Sequence, residues 1–336
     1  MKKIDVENHF ATDAWVDALY KNTGYPRLIN QEERPFLEYA DQVLQPFDRV
    51  LAKLLDLDTG RLEDMDATGI DVAVLSLTAP GVEQFPPALG SALAATINDT
   101  LAEAISRHPA RFMGFAALAP RDVETAVAEL ERAVRELGLR GWGTHSNFGD
   151  SYLDEKRYWP ILDKAEELGV PIYIHPTVPK IEEMRTYGLR LAPFGFGAET
   201  ALVMTRLIVA GVLDAFPKLR IMLGHLGEGL PFMLNRFDRP YLQGDLRPGP
   251  LTPTPAKMPS HYLKNNLTVS TSGNYLGAAF RCTEEAFGIG NMVLGTDYPY
   301  EPIAECIDFL DAQRLSVAER ASLFETNALA LGFSRQ

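Results

Sequence analysis

Five side chains able to ligate a metal or move protons recur at one kind of place in the sequence, just past a short apolar run. Glu7 and His9 follow the run 4–6 and lie two residues apart, so in extended backbone they leave the chain on the same side. His175 closes Tyr173-Ile174-His175-Pro176, His225 follows Met222-Leu223-Gly224, and Asp297 follows Leu294-Gly295-Thr296. Carboxylate oxygens and imidazole nitrogens gathered on one rim could surround one divalent cation. Glu228 stands three residues beyond His225 among Gly224, Gly227 and Gly229, which allow close approach of backbone and substrate, and the pair is a candidate acid/base unit. Each residue has a plainer reading by itself: Glu7 as an exposed charge, His175 as a turn hydrogen bond, Asp297 as a helix cap. Their joint placement carries the functional reading.

The remaining histidines serve as a comparison. His108 precedes Pro109 at a helix end, where a cation suits the dipole, and His261 falls in a loop before the seventh strand; both read as structural. His145 ends the fourth strand on the same rim and could line the pocket.

Gathering these residues requires a scaffold of strands. Apolar runs at 4–6, 71–77, 112–117, 140–144, 171–174, 219–223, 267–270 and 292–294 predict eight strands. Helical periodicity separates most of them, at 92–107, 123–137, 158–168, 200–215, 230–241, 276–287 and 303–313, and glycine or proline often marks the return from helix to strand. Such alternation predicts an α/β protein with a (β/α)8 barrel, whose active rim lies at the carboxyl ends of the strands. A doubly wound open sheet would want a glycine fingerprint after the first strand, where this chain has Val6-Glu7-Asn8-His9. Residues 15–60 fit no unit of the barrel and predict an insertion that could lid the site. Two further long connections, 178–198 and 243–259, leave the barrel pattern, and the second could reach another subunit. No internal repeat is visible, so one domain, 1–336, is expected.

The chain has 336 residues, 46% of them hydrophobic, enough for one large core. A net charge of −13 leaves no basic footprint for nucleic acid or an anionic membrane surface. Its two cysteines, Cys282 and Cys306, fall in separate helical segments, which argues against a disulfide framework or thiolate metal site and suits a reduced compartment. No signal peptide or membrane span is legible in the first residues, and a cytoplasmic location is expected.

The segments Glu7-Asn8-His9, Tyr173-Ile174-His175-Pro176, 194–200, 224–231, Thr271-Ser272-Gly273 and Thr296-Asp297-Tyr298-Pro299 resemble, in order and over nearly the whole chain, the decarboxylating branch of the amidohydrolase superfamily. The resemblance implies a distorted barrel holding one zinc or manganese ion, with no organic cofactor. It casts Glu7, His9, His175 and Asp297 as metal ligands, His225 and Glu228 as an acid/base pair outside the ligand set, and Arg236 as a substrate-binding arginine. Hydrolytic members usually carry His-x-His where this chain has Glu7-Asn8-His9, which favours a phenolic-acid decarboxylase over a hydrolase, lactonase or hydratase. The expected substrate is an ortho-hydroxylated aromatic carboxylate of the dihydroxybenzoate or carboxyvanillate type, with Asp297 delivering a proton to the ring. His145, Phe194, Phe196, Tyr298 and Tyr300 would line the site or pack the ring. A homodimer or homotetramer is also implied.

Overall fold

The apolar runs become parallel strands because each is bounded by polar or glycine-containing turns and followed by a segment of helical period. The computed structural model describes residues 1–246, 249 and 253–334. The chain opens with β1 (Ile4–Phe10), α1 (Asp13–Lys21), β2 (Arg27–Gln31), β3 (Arg34–Ala40), β4 (Val43–Pro46), α2 (Asp48–Leu55) and α3 (Thr59–Thr68). It continues with β5 (Val72–Leu77), α4 (Pro87–Arg107), β6 (Phe112–Gly114), α5 (Val123–Arg135), β7 (Trp142–His145), α6 (Trp159–Leu168), β8 (Ile172–His175), α7 (Gly195–Val209) and α8 (Val212–Ala215). The last units are β9 (Ile221–Leu223), α9 (Leu230–Gln243), α10 (Pro259–Asn265), β10 (Leu267–Ser270), α11 (Gly277–Phe287), β11 (Met292–Val293) and α12 (Ile303–Asp311).

Parallel pairing runs β1-β5-β6 and β7-β8-β9-β10-β11. Two joins close the ring. Ala116 bridges Trp142, with Gly143 N–H donating to Ala116 O at 3.0 Å; Asn8 bridges Tyr298, with Val6 N–H donating to Leu294 O at 2.9 Å. The result is the (β/α)8 barrel expected from the strand count. Its interior is packed by Ile4, Val6, Val72, Val74, Phe115, Tyr173, Met222 and Val293, and Ala328, Leu331 and Phe333 from the chain's last segment join the same apolar layer. A second, larger layer lies between strands and helices. Burial of each such large apolar side chain contributes ~1.5–3 kcal/mol.

The insertion is built of regular structure that the sequence pattern did not resolve. β2, β3 and β4 form an antiparallel meander between α1 and α2. α3, which leads into β5, was also missed, because its apolar positions are sparse. α7 begins at Gly195, five residues before the expected start at 200, so 195–197 belongs to a helix and not to the long connection. His261 lies in α10, a helix with Pro259 at its first turn, and not in a loop. Of the stretch 243–259, positions 247, 248 and 250–252 lie outside the described residues. Both cysteines are free, as expected, Cys282 in α11 and Cys306 in α12. Among the described residues no helix is long and apolar enough to cross a membrane.

Candidate metal centre and active site

The register of β1 against β5 shifts between Asp5 and Asn8. A bulge of this kind changes which side chains face the barrel axis. Ile4 and Val6 belong to the inner apolar layer, whereas Glu7 and His9, out of phase with them, project into the cluster above it. Asn8 and Asp5 are held apart from that cluster: Asn8 Nδ2–H donates to Asp5 Oδ2 at 2.9 Å, and Thr296 donates to both Asp5 oxygens at 3.0 and 2.7 Å. Burial lifts Asp5 to about 6 in spite of these hydrogen bonds. Arg61, fully buried on α3, donates to Asn8 Oδ1, to His9 O at 2.8 Å and to Lys53 O at 2.8 Å, tying the end of β1 to the insertion.

Glu7, His9, His175 and Asp297 are all buried and offer one ligand atom each, all within 4.8 Å of one another. His9 Nε2 stands 2.9 Å and His175 Nε2 3.9 Å from Asp297 Oδ1. Glu7 Oε1, His9 Nε2 and Asp297 Oδ1 are nonetheless buried without an aligned hydrogen-bond partner. Leaving a buried polar atom unpaired costs about 1–3 kcal/mol. Three such atoms converging from two strands fit a divalent cation, and two carboxylates with two imidazoles suit zinc or manganese alike.

The opposite edges of these ligands are fixed by hydrogen bonds, as ligating imidazoles require. His9 Nδ1 meets Ser76 Oγ at 3.1 Å, and His175 Nδ1 meets Pro176 O at 2.9 Å. Glu7 Oε2 accepts from Ser270 Oγ and from Ser272 Oγ, the latter at 2.6 Å. Burial and the neighbouring His9 push His175 down to about 4, which keeps it neutral and able to ligate. Burial would raise Asp297, but His175 and His9 hold it below the usual carboxylate range.

His225 stands just outside the four. The proton of Ser272 Oγ goes to Glu7, so that oxygen accepts from His225 Nδ1 at 3.3 Å, and His225 Nε2 is left 3.7 Å from Glu7 Oε1 and 4.0 Å from Glu228 Oε1. Burial opposes a charge on His225, yet Glu228, Glu7 and Asp297 raise it to about 9; burial lifts Glu228 to about 7, with His225 pulling the other way. The pair can therefore hold and exchange a proton near neutrality. Its backbone is strained: His225, Leu226, Glu228 and Asp297 all have φ between 52 and 61°, costing ~1–2 kcal/mol each. Gly273 (φ +60) completes the wall because a Cβ there would come 2.3 Å from His225 Nδ1.

A cavity of about 520 Å³ opens on this rim, lined by His175, His225, Glu228, Asp297, Phe196, Tyr300 and, from the insertion, Tyr39 and Gln45. That volume is ordinary for a small-molecule site. Of the expected lining aromatics, Phe196 and Tyr300 border this cavity, Tyr300 anchored by Thr78 Oγ1 at 2.5 Å.

Four expected lining residues lie elsewhere. Arg236 is exposed on α9, four residues and one turn beyond the exposed Phe232, and lines a separate outer depression with Phe237 and Tyr241. Phe194 caps α7 with 56% of its surface exposed. The left-handed turn at Asp297 sends Tyr298 away from the cavity, to stack on Arg61 and donate to Asp64 Oδ2 at 2.8 Å. His145 pairs in register with His175, but its Nδ1 is bound to Glu83 at 3.0 Å and the ring is buried in the wall.

Tyr39, Gln45, Asn274 and Glu301 line the cavity without having been singled out in the sequence. Asn274 and Glu301 each carried a nearby signal, Thr271-Ser272-Gly273 and Tyr300 respectively.

The amidohydrolase family model matches residues 4–331. The chain is 33% identical to a gamma-resorcylate decarboxylase of Polaromonas sp., over 97% of each protein. The structure of 5-carboxyvanillate decarboxylase from Sphingomonas paucimobilis superposes with a TM-score of 0.88 at 32% identity, covering 98% of both chains. That of 5-carboxyvanillate decarboxylase from Novosphingobium aromaticivorans, complexed with manganese and 4-hydroxy-3-methoxy-5-nitrobenzoic acid, gives 0.88 at 34%, covering 98% of this chain and 95% of that one. By sequence along nearly its full length and by fold, this chain belongs to the amidohydrolase family.

Proposed function

We propose that the protein is a metal-dependent, non-oxidative decarboxylase of an ortho-hydroxylated aromatic carboxylic acid. The observation that carries this is the buried convergence of Glu7, His9, His175 and Asp297, the last two lining a cavity that His225 and Glu228 also line, in a chain whose relatives include aromatic acid decarboxylases. Those four residues would hold a divalent ion, zinc or manganese, whose positive charge would favour the phenolate of the acid. The protein's own side chains do the rest. Asp297, ionised in the free protein, takes up a proton from solvent as the anionic acid binds beside it, delivers that proton to the ring carbon bearing the carboxylate and is left as the carboxylate again. That step avoids a free aryl anion, and carbon dioxide leaves as the ring regains aromaticity. His225, paired with Glu228, holds the phenolic proton and returns it to the product. Phe196 and Tyr300 flank the ring and exclude water.

Arg236 has no such place in the cavity of its own chain. The outer face of α9 carries it beside exposed Phe232, Met233 and Leu242, a composition suited to an interface between copies in a homodimer. The free thiols suit a cytoplasmic setting.

The test is carbon dioxide release from a panel of 2-hydroxybenzoates by the purified protein loaded with manganese or zinc, run beside a lactone panel. The expected result is carbon dioxide and the matching phenol in equal amounts, with the lactones intact. Lactone hydrolysis without carbon dioxide would replace this reading with a hydrolase.

A further inference from the structure

Apart from His225, the charged side chains that line the cavity are acidic. Besides Asp297 its lining contributes Glu228 and Glu301, and among the described residues it contains neither lysine nor arginine. The cavity, about 520 Å³, is also larger than the ~150 Å³ that holds a benzene ring. It therefore has room for ring substituents away from the metal-ligating residues, and the chemistry of the remaining wall decides which ones.

Part of that wall comes from the insertion. Tyr39 lies on β3 and Gln45 on β4, and Tyr39 Oη–H donates to Gln45 Oε1 at 3.2 Å. The Tyr39 ring meets Phe196 of α7 edge-on, centroids 6.4 Å apart, which fixes the pair against the barrel side of the cavity. Because its oxygen is engaged by Tyr39, Gln45 retains two amide N–H donors, and Tyr39 Oη retains lone pairs. A neutral donor and a neutral acceptor side by side match one kind of group best, a hydroxyl, which accepts from the amide and donates to the tyrosine oxygen. A methoxy group uses only the donor. A second carboxylate beside Tyr39 and Gln45 would be desolvated with neither lysine nor arginine in the lining to meet it, since the one imidazolium there, His225, is already paired with Glu228 and Glu7.

We infer that Tyr39 and Gln45 determine specificity by reading a neutral hydroxyl on the ring, remote from the carboxylate that is lost. The preferred substrate is then a hydroxylated monocarboxylate and not an aromatic dicarboxylate. This rests on the decarboxylase reading above, and the experiment separates the two.

Two quantities are measured for 2-hydroxybenzoates carrying hydrogen, hydroxyl, methoxy or carboxylate at the positions meta and para to the carboxylate: kcat/KM for carbon dioxide release, and affinity for the manganese-loaded protein by calorimetry. Wild type, Gln45→Leu and Tyr39→Phe are compared; the last keeps the ring contact with Phe196, so a folding defect in one variant does not remove the test. The hydroxyl acid is expected to exceed the unsubstituted one by about tenfold at its best position, with the methoxy acid between them and the dicarboxylate weakest. In both variants the hydroxyl-to-hydrogen ratio should fall to within about twofold of unity. An equal ratio in wild type, an unchanged ratio in both variants, or preference for the dicarboxylate overturns the inference. Hydroxyl preference in binding with no carbon dioxide from any acid would sink the decarboxylase reading and leave this one standing; carbon dioxide release with no hydroxyl preference would do the reverse.

Discussion

The two sides of the cavity are built on different principles. On the barrel side three of the four ligand-type side chains are held from behind: His9 by Ser76, His175 by the Pro176 carbonyl and Glu7 by Ser270 and Ser272, with the end of β1 held by buried Arg61. On the insertion side the cavity is lined by Tyr39 and Gln45; the Tyr39 ring is buried against Phe196, and the ion pair farther out is exposed. Arg185 of the long connection meets Asp41 of the insertion at 2.9 Å, with side chains 44% and 60% accessible. The contrast is a division of labour: the buried strand ends supply the ligand-type and acid/base side chains, while the insertion adds neutral polar groups to the wall.

That contrast can be broken, starting where the effect should be largest. His175→Ala removes a ligand whose place nothing else fills; we expect loss of bound metal by elemental analysis together with loss of measurable carbon dioxide release. Asp297→Asn keeps a polar side chain of the same shape but cannot carry the proton, so turnover should fall by about 10³-fold or more while the circular dichroism spectrum is retained. Near-normal turnover would remove Asp297 from the proton path.

Arg61→Met leaves Asn8 Oδ1 and the carbonyls of His9, Lys53 and Asp56 without their donor. It should cost about 3 kcal/mol of stability in denaturant unfolding, with a smaller loss of turnover. An unchanged midpoint would mean that the barrel side is not held as described. The smallest effect belongs to the cover: Asp41→Asn breaks an exposed pair worth no more than ~1 kcal/mol, and KM should change by less than about fivefold. A large change there would show that the cover is as closely fixed as the rim.

The same contrast governs what could be read from the sequence. All eight barrel strands lie within the segments marked by their apolar runs or extend from them, because burial on both faces leaves a continuous hydrophobic signal. Glu7, His9, His175, His225 and Asp297 stood out because each follows or closes such a run, Glu228 by its spacing from His225, and the fold brings them to one rim. Arg236 and Tyr298 did not reach the cavity, for reasons of local geometry: the phase of α9 in one case and the left-handed turn at Asp297 in the other. Tyr39 and Gln45 carried no signal, since a short antiparallel meander exposed on one side has no period that points to a site in another part of the chain. The start of α7 was obscured by Gly195 and Gly197, poor helix formers placed where the helix packs against the Leu189–Arg190 backbone and against Glu228.

The account rests most heavily on the separation of His225 from the four metal-type ligands. Metal content and carbon dioxide release, measured on the same preparations of wild type and His225→Ala, test it directly. The prediction is close to one ion per chain in both proteins, with release of carbon dioxide reduced by at least ~10²-fold in the variant. Metal lost along with activity would make His225 a ligand, and activity retained without it would leave the phenolic proton to another group.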